Sequence, residues 1–316
     1  MSSDYIVEND WVGGHRGEKK EYCKIEQGLT LKSIRVYYDD NKYYIRGITL
    51  TWSDNTTDEI GKAIRDGLSF FPEPDERFNY FILYNNHEYG SAERLGKIVS
   101  TTTLGHTFNP GRKPDGNLAH NMALGSGILL GMGVATDGDS ILAAKPLFLK
   151  QYQSILSDVD LDLPTNGEGI SPQDVKTWHF KSSDAEWSVE GEHEVTETST
   201  WTQETESTFG VDFKVLGEIP GIVSVEGGFN WQRSSKQTHG TEHSEKTTYR
   251  WSLGGTLAKG QNLRVTAKTA QGVLEIPYTA EITITMKDGK ELKYKEGGTY
   301  SNVKWADVDV VTEDEA

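Results

Sequence analysis

Two acidic residues in one short segment are the first candidates for binding chemistry. Asp137 and Asp139 flank Gly138 in the sequence DGDS, residues 137–140. Carboxylates at alternate positions of a loop are typical ligands of Ca²⁺, but the further ligands and flanking helices of an EF-hand are missing here. Residue types alone therefore leave two interpretations of this segment, an acidic turn and a calcium loop.

Common catalytic signatures are absent from the sequence. It contains no His-Glu-x-x-His, Gly-x-Ser-x-Gly or phosphate-binding Gly-Lys-Ser/Thr motif. Cys23 is the only cysteine, which excludes an intrachain disulfide and a cysteine-based metal site, and nothing around it indicates nucleophilic catalysis. We therefore expect no enzyme activity, no metal and no cofactor.

Three histidines of the second half lie in polar segments beside several glutamates. They are His193, His239 and His243. Histidine changes its charge close to physiological pH. Either the three side chains are simply solvated, or their protonation at about pH 5 to 6 relieves acidic repulsion between neighbouring chains and promotes assembly.

The segment TFGVDFKVLGEIPGIVSVEGGFNW, residues 208–231, alternates apolar and polar residues on both sides of a Pro-Gly pair. This predicts an antiparallel hairpin with its turn at residues 218–221, because Pro second and Gly third favour a type II turn. Each arm would hold about nine or ten residues, enough for a tilted strand to cross a bilayer. The apolar residues expected on one face are Phe209, Val211, Phe213, Val215, Val223, Val225, Phe229 and Trp231.

Two roles are open for this hairpin. In a soluble protein one face would pack on a core and the other would meet water. In a membrane a single hairpin cannot satisfy its own edges, so several copies would have to close into a barrel. The long Ser- and Thr-rich segments on both sides favour the membrane role, because they could extend such a barrel above the bilayer.

Composition and charge narrow the function classes. The chain has 316 residues, a length that favours two domains, and its Val, Thr, Tyr and Trp content is typical of all-β proteins. The formal net charge is -16; residues 1–150 carry 20 acidic and 17 basic residues, and residues 151–316 carry 28 and 15. Because so acidic a surface repels phosphate, nucleic acid is not an expected partner.

Targeting signals are not visible. The start, MSSDYIVEND, has no basic region followed by an apolar run, and no stretch of about 18 apolar residues occurs. We expect a soluble precursor, cytoplasmic or exported by an unconventional route, that reaches a target-cell membrane only in its pore form.

Strand signals fill the first half. The only alternative is TDEIGKAIRDGL, residues 57–68, which could pass for a helix but contains two glycines. The predicted strands, rich in β-branched and aromatic residues and separated by Gly, Asn and Asp, lie within residues 31–40, 43–54, 80–86, 97–103 and 145–150.

The acidic, proline-containing segment 151–175 predicts a connector, with a domain boundary near residue 155. Beyond it, the Thr-, Ser- and Glu-rich segments 192–208 and 232–251 have a composition compatible with disorder, but interspersed residues such as Trp201 favour long strands. Near the end, MKDGKEL predicts a hairpin around Asp288 and Gly289.

Taken in order, several pieces of the chain resemble known modules. WVGGHRG, GLTLKSIRVYYDDNKYYIRGITLTWSD, KIVSTTTLGHTFNPG and GVATDGDSILAAKPLFL resemble a jacalin-like lectin domain, and residues 171–316 resemble the aerolysin-type pore-forming module. The combination is similar to fish natterin-like, aerolysin-like proteins. The resemblance implies an all-β chain with a jacalin-like β-prism over residues 1–155 and an elongated aerolysin-type antiparallel β domain over residues 156–316.

The resemblance also implies a sugar site. In jacalin-like lectins the sugar lies between an N-terminal Gly-Gly loop and a Gly-x-x-x-Asp loop before the last strand. Alignment from the final strand places Leu142 at the acidic position, whereas a literal match runs from Gly133 to Asp137. The implied carbohydrate-binding residues are Gly13, Gly14, Asp137, Gly138, Asp139 and Ser140, with either carboxylate as the ligand.

Together these observations predict a glycan-binding, pore-forming protein. The first domain would bind cell-surface glycans of mannose or galactose type, with mannose-type favoured, and the hairpin would enter the lipid bilayer after activation. Several chains would form a homo-oligomeric ring. The alternative is a non-lytic lectin whose second domain is a β-stalk or an oligomerisation module.

Overall fold

The computed structural model describes most of the chain and divides it into two compact units. The described residues are 4–38, 44–64, 67–73, 76–86, 94–112, 119–164, 167–181, 185–203, 214–226, 228–239 and 242–315. Described residues of the first unit fall within Met1–Leu156 and Glu281–Glu296, and those of the second within Ser157–Glu204, Lys214–Ala280 and Gly297–Ala316.

The first unit is a β-prism of three four-stranded antiparallel sheets. In order across the first sheet the strands are β1 (Val12–Gly13), β12 (Ile141–Phe148), β11 (Leu129–Thr136) and β2 (Lys19–Cys23). Across the second they are β5 (Thr57–Gly61), β4 (Ile45–Trp52), β3 (Leu31–Tyr38) and β6 (Gly67–Phe70). Across the third they are β10 (Ala119–Asn121), β7 (Phe78–Asn86), β8 (Arg94–Thr102) and β9 (Thr107–Phe108).

The prism core forms where the apolar faces of the three sheets meet. Along β4, Ile48, Leu50 and Trp52 are fully buried, as expected for a strand with one face on a core. The rings of Phe81 and Phe148, from different sheets, meet edge to face at 5.6 Å. These two rings, from the third and the first sheet, belong to one hydrophobic core.

The helical alternative for residues 57–68 is wrong. Thr57–Gly61 pairs with β4, and Gly67 begins β6. Gly61 adopts φ +73°, a left-handed conformation that ends the strand and that glycine tolerates. The only helical segment among the described residues is a three-residue 3-10 turn, Ile25–Gln27, and no helix in the described part of the chain is long and apolar enough to span a bilayer.

A nine-stranded sheet includes the strands of the second unit. Its main path runs β17 (Gly228–His239), β16 (Lys214–Val225), β13 (Tyr152–Leu161), β19 (Asn262–Met286), β20 (Glu291–Trp305), β15 (Ala185–Gln203) and β18 (Glu242–Leu257). Two further strands pair with β19, namely β14 (Ile170–Phe180) and β21 (Asp309–Glu315).

The Thr-, Ser- and Glu-rich segments form long strands where they are described. β15 pairs with β18 from Ala185 opposite Leu257 to Thr200 opposite Glu242. Val195 and Trp201 are buried while most of the glutamates between them and before them face water, so the polar composition reflects strands with one solvated face. The predicted hairpin at Asp288 and Gly289 is also confirmed, with Gly289 at φ +83°.

The connector predicted over residues 151–175 is wrong for much of its length. Residues 152–161 form β13, and β14 begins at Ile170. Within β13, Ile155, Val159 and Leu161 are buried, and the acidic residues beside them point outward. The acidic residues of β13 therefore belong to the solvated face of a strand, whose side chains alternate between two faces, and do not indicate a linker.

The turn predicted at residues 218–221 is also wrong. Pro220 lies inside β16 and pairs with Arg233, and the chain reverses between Val225 and Gly228. The register shifts between Glu218 and Pro220, and a proline that cannot donate to the ladder is tolerated at such a bulge.

The observed register separates the expected apolar residues. Val225 pairs with Gly228, so odd-numbered residues of β16 near the turn share a face with even-numbered residues of β17. Val223 and Val225 therefore lie on one face of the hairpin, and Phe229 and Trp231 lie on the other. The prediction of one shared apolar face is wrong for these four residues. Val215 belongs to β16, and Phe209, Val211 and Phe213 lie outside the described residues.

Candidate functional site

Gly13 and Gly14 lie beside the beginning of β12. Gly13 pairs with Ala143, and the N–H of Gly14 donates to the carbonyl of Leu142 at 2.8 Å. Gly13 adopts φ +125°, and a Cβ there would lie 2.2 Å from the Leu142 oxygen. Only glycine fits this close backbone approach.

The loop 137–140 precedes the same end of β12 and is shaped by its own first carboxylate. Oδ1 of Asp137 accepts hydrogen bonds from the N–H groups of Asp139 and Ser140 at 3.0 and 2.8 Å. Gly138 adopts φ +87° and donates to Oγ1 of Thr136 at 2.9 Å. The loop and the Gly13–Gly14 segment are therefore brought together at one end of the prism.

Arg94 fixes the loop from the third sheet. Its Nε donates to Oγ of Ser140 at 2.8 Å, and its Nη2 lies 3.4 Å from Oδ2 of Asp137. Burial raises the pKa of Asp137, but hydrogen bonds from the Asp139 and Ser140 backbone, the Ser140 hydroxyl and Arg94 outweigh it. The pKa of Asp137 is therefore below its ordinary value, and this side chain is an ionised part of the loop's own structure.

Asp139 points away from the loop backbone towards two cations of the second sheet. Its Oδ1 accepts from Nη2 of Arg46 at 2.9 Å and from Nζ of Lys62 at 3.1 Å. The Asp139 side chain is 57% exposed, against 37% for Asp137. Asp139 is therefore the more accessible carboxylate of the loop.

Four residues around the loop were missed by sequence reasoning: Tyr44, Arg46, Lys62 and Arg94. The guanidinium carbons of Arg94 and Arg46 lie 4.7 and 5.6 Å from the centre of the Tyr44 ring. The four residues lie at the ends of β4, β5 and β8, or next to them, far apart in the sequence. No local pattern links them, because only the sheet pairing brings these ends together.

Leu142 does not occupy an acidic position of the loop. It is the second residue of β12, only 5% exposed, and packs with Ala135 and Ala143 against Trp11. Gly133 lies inside β11, opposite Lys145. Leu142 and Gly133 therefore both lie in strands, and the carboxylates that the loop itself presents are Asp137 and Asp139.

The calcium interpretation gains no support from the geometry. Within the described ranges, no group of three or more His, Cys, Asp or Glu side chains is close enough to hold a metal ion. Both loop carboxylates already face cationic side chains. The loop offers instead one accessible carboxylate acceptor, Asp139, beside the Lys62 ammonium and the Arg46 guanidinium, a combination suited to hydroxyl-bearing ligands.

The hairpin of β16 and β17 packs on β19 in the second unit. Ile222 and Trp231 lie over Gly272, where a Cβ would come within 2.5 Å of Ile222 and 2.6 Å of Trp231. Nε1 of Trp231 donates to the carbonyl of Glu168 at 2.7 Å. Arg233 donates to the carbonyl of Leu161 at 2.7 Å. The hairpin is therefore held against its sheet in this state.

The histidines differ in their surroundings. His193 is not simply solvated: its Nε2 is buried with no hydrogen-bond partner among the described residues, and its ring lies 5.5 Å from that of Trp305. Nε2 of His243 lies 3.4 Å from a carboxylate oxygen of Glu245. The side chain of His239 lies outside what the structure describes.

Comparison with known proteins gives a match in structure alone. No family model matches the chain, and no curated protein matches it. The crystal structure of lamprey immune protein superposes with a TM-score of 0.83 at 23% identity, covering 97% of this chain and 98% of that one. This similarity confirms the all-β fold expected from the resemblance, a prism followed by a second β unit.

Plant lectins cover a smaller part of the chain. A mannose-binding lectin from champedak matches at 16% identity with a TM-score of 0.36, covering 47% of this chain and 99% of the lectin. A mannose-binding jacalin-related lectin from Ananas comosus matches at 12% identity with a TM-score of 0.38, covering 46% and 99%.

Proposed function

We propose that this protein binds carbohydrate at the prism end formed by Gly13, Gly14 and the loop 137–140. The observation that carries the proposal is that both segments lie at the beginning of β12, where Gly14 donates to the carbonyl of Leu142 and the loop presents the accessible carboxylate of Asp139. A carboxylate accepts two charge-assisted hydrogen bonds from adjacent sugar hydroxyls, and glycine lets the ligand approach the backbone. The resemblance to jacalin-like lectins favours mannose-type glycans.

Substitution of the accessible carboxylate tests this proposal. Asp139→Asn should weaken binding of a mannose-rich glycoprotein by about tenfold or more, because it removes a charged hydrogen-bond acceptor. Asp54→Asn is the matched control, since Asp54 makes its hydrogen bonds to Thr56 in another turn. Calorimetric titration of the two full-length variants measures the difference. Equal affinities for both variants and the parent would remove the loop from the binding site.

We propose further that the second unit carries a hairpin into the membrane once the prism has bound glycans. β16 and β17 have 12 residues each, enough for a tilted strand to cross the hydrocarbon core. Because one hairpin leaves its edges unpaired in lipid, several chains would close into a homo-oligomeric ring. Glycan binding would concentrate the chains on the surface and add multivalency.

Membrane insertion on this proposal requires a change of register. The observed pairing places Val225 and Phe229 on opposite faces. A three-residue turn at residues 219–221 would instead pair Val215 with Val225 and bring the odd-numbered apolar residues of both arms to one face. The Pro-Gly pair that now lies at a bulge would then form the turn.

The observed register favours a second candidate function, a non-lytic lectin. In the state described here the hairpin is packed on Gly272, and its apolar residues are divided between both faces. If that pairing is permanent, the second unit serves as a stalk or an oligomerisation module. Release of a dye from liposomes separates the two functions, because only an inserting hairpin permeabilises the bilayer.

A further inference from the structure

Three cationic side chains surround the loop 137–140. Arg46 and Lys62 reach Asp139 from the second sheet of the prism, and Arg94 reaches Asp137 from the third. Among the described residues these three cations face two carboxylates. The described part of the proposed binding site therefore carries one more cation than carboxylates, in a chain whose formal net charge is -16.

These cations retain hydrogen-bond donors that the loop does not use. Nε of Arg46 is buried without a partner among the described residues. An ammonium group has three donors, and the contact of Lys62 described here is the one to Asp139. The Lys62 side chain is 55% exposed, so its remaining donors face the solvent side of the loop.

The cations are also held in place before any ligand binds. Arg46 is only 11% exposed, and its Nη1 donates to the hydroxyl of Tyr44 at 3.1 Å. Arg94 lies over the ring of the same tyrosine. Cations held in fixed positions beside an exposed ammonium are suited to oxyanions, because carboxylate, sulfate and phosphate accept charge-assisted hydrogen bonds.

We infer that the ligand of this site is a sugar that carries an anionic substituent (phosphate, sulfate or carboxylate) beside the hydroxyls that the loop binds. The inference rests on the proposed carbohydrate-binding function and names its ligand class. Lys62 contacts the anionic group from the solvent side, and Asp139 accepts from the neighbouring hydroxyls. A neutral sugar uses Asp139 alone and leaves the donors of Lys62 hydrated.

Two pairs of sugars that differ only in the anionic group test the inference. We expect the full-length protein to bind mannose 6-phosphate at least about tenfold more tightly than mannose, or glucuronate that much more tightly than glucose, in calorimetric titrations at low salt. A tenfold preference corresponds to about 1.4 kcal/mol, within the range of a charged hydrogen bond. Inorganic phosphate alone should bind more weakly than the charged sugar.

Lys62→Gln should abolish the preference for the anionic member of each sugar pair, because it removes the exposed ammonium group. Lys32→Gln is the matched control, because the ammonium of Lys32 donates to Asn55 in another part of the prism. Urea unfolding of both variants verifies that the prism remains folded. A preference that survives in Lys62→Gln would assign the anion to a different place and overturn the inference.

The remaining outcomes separate this inference from the proposed function. Equal affinities within both sugar pairs would disprove the anionic ligand and leave carbohydrate binding intact. Binding of inorganic phosphate as tight as that of the charged sugar would also overturn the inference, because the hydroxyls would then contribute nothing. No binding of any sugar would refute both proposals.

Discussion

At the scale of single residues, the Asp137 carboxylate organises the proposed binding loop. Its oxygens accept from two backbone N–H groups, a hydroxyl and a guanidinium. These partners outweigh the effect of burial and lower the pKa of Asp137 in the folded protein. A carboxyl group whose pKa is lowered by folding stabilises the fold above its unfolded pKa of about 3.9. That contribution is lost as the pH falls through the folded value.

Asp137→Asn should therefore be less stable than the parent by a constant amount between about pH 5 and 8. The difference should shrink below about pH 4, where the parent carboxylate also becomes protonated. Urea unfolding of the two proteins across this range measures it. A difference that stays constant down to pH 2.5 would show that neutral hydrogen bonds, and not ionisation, account for the role of Asp137.

Replacing either of two glycines of the site by alanine should lower the free energy of unfolding by different amounts. Gly13→Ala combines φ +125° with a clash against the Leu142 carbonyl, whereas Gly138→Ala at φ +87° meets nothing within 4 Å. We expect Gly138→Ala to lower the free energy of unfolding by about 1 kcal/mol, and Gly13→Ala to lower it by clearly more. Urea unfolding compares them directly, and equal costs would contradict the close approach of β1 to β12.

The residues of the loop were predictable from the sequence, and those around it were not. Gly13 and Asp139 were proposed from the resemblance to jacalin-like lectins, and the close backbone approach at Gly13 does require glycine. Arg46, Lys62 and Arg94 are ordinary surface cations in the sequence, and only the meeting of strand ends from different sheets brings them to the loop.

At the scale of elements, strand existence was predictable and strand pairing was not. The alternation in residues 208–231 indicated strands, and its described residues form β16 and β17, since period two is a local property. The chain reverses between Val225 and Gly228 and not at Pro220, because the Gly-Gly pair at 227–228 is a competing turn signal and a bulge accommodates the proline. Where two turn signals are of similar strength, tertiary packing selects the turn that forms. Here Ile222 and Trp231 pack on Gly272 in the observed register.

A crosslink that locks the observed register tests whether membrane insertion requires β16 and β17 to pair in a new register. Gly221 lies opposite Gln232, so Gly221→Cys with Gln232→Cys, in a Cys23→Ser background, should form a disulfide in the described state. We expect dye release from liposomes to be lost in the oxidised protein and restored by reduction.

The single substitution Gln232→Cys in the same background is the control, because it cannot lock the hairpin. Leakage that is equally fast in the oxidised and reduced double variant would show that insertion does not need a new register. Mass spectrometry of the oxidised protein confirms that the crosslink has formed.

At the scale of the whole molecule, the fold was predictable from the order of its pieces. No single short motif identifies the fold. A series of prism-like motifs followed by long Ser- and Thr-rich strands nevertheless indicates two successive structural units. The structure places the tip of β19 and β20, Glu281–Glu296, in the first unit, which composition could not indicate. Within it, Lys290 forms an ion pair with Asp4, from opposite ends of the sequence.

The central claim, that glycan binding by the first unit leads to membrane insertion by the second, is tested most directly by dye release. Liposomes with and without a mannose-rich glycoprotein in the bilayer are exposed to the full-length protein and to Asp139→Asn across pH 5 to 8. The account predicts release that requires the glycoprotein, is weakened by Asp139→Asn, and is accompanied by ring-shaped oligomers. Absence of release under every condition, with glycan binding intact, would contradict it and leave a non-lytic lectin.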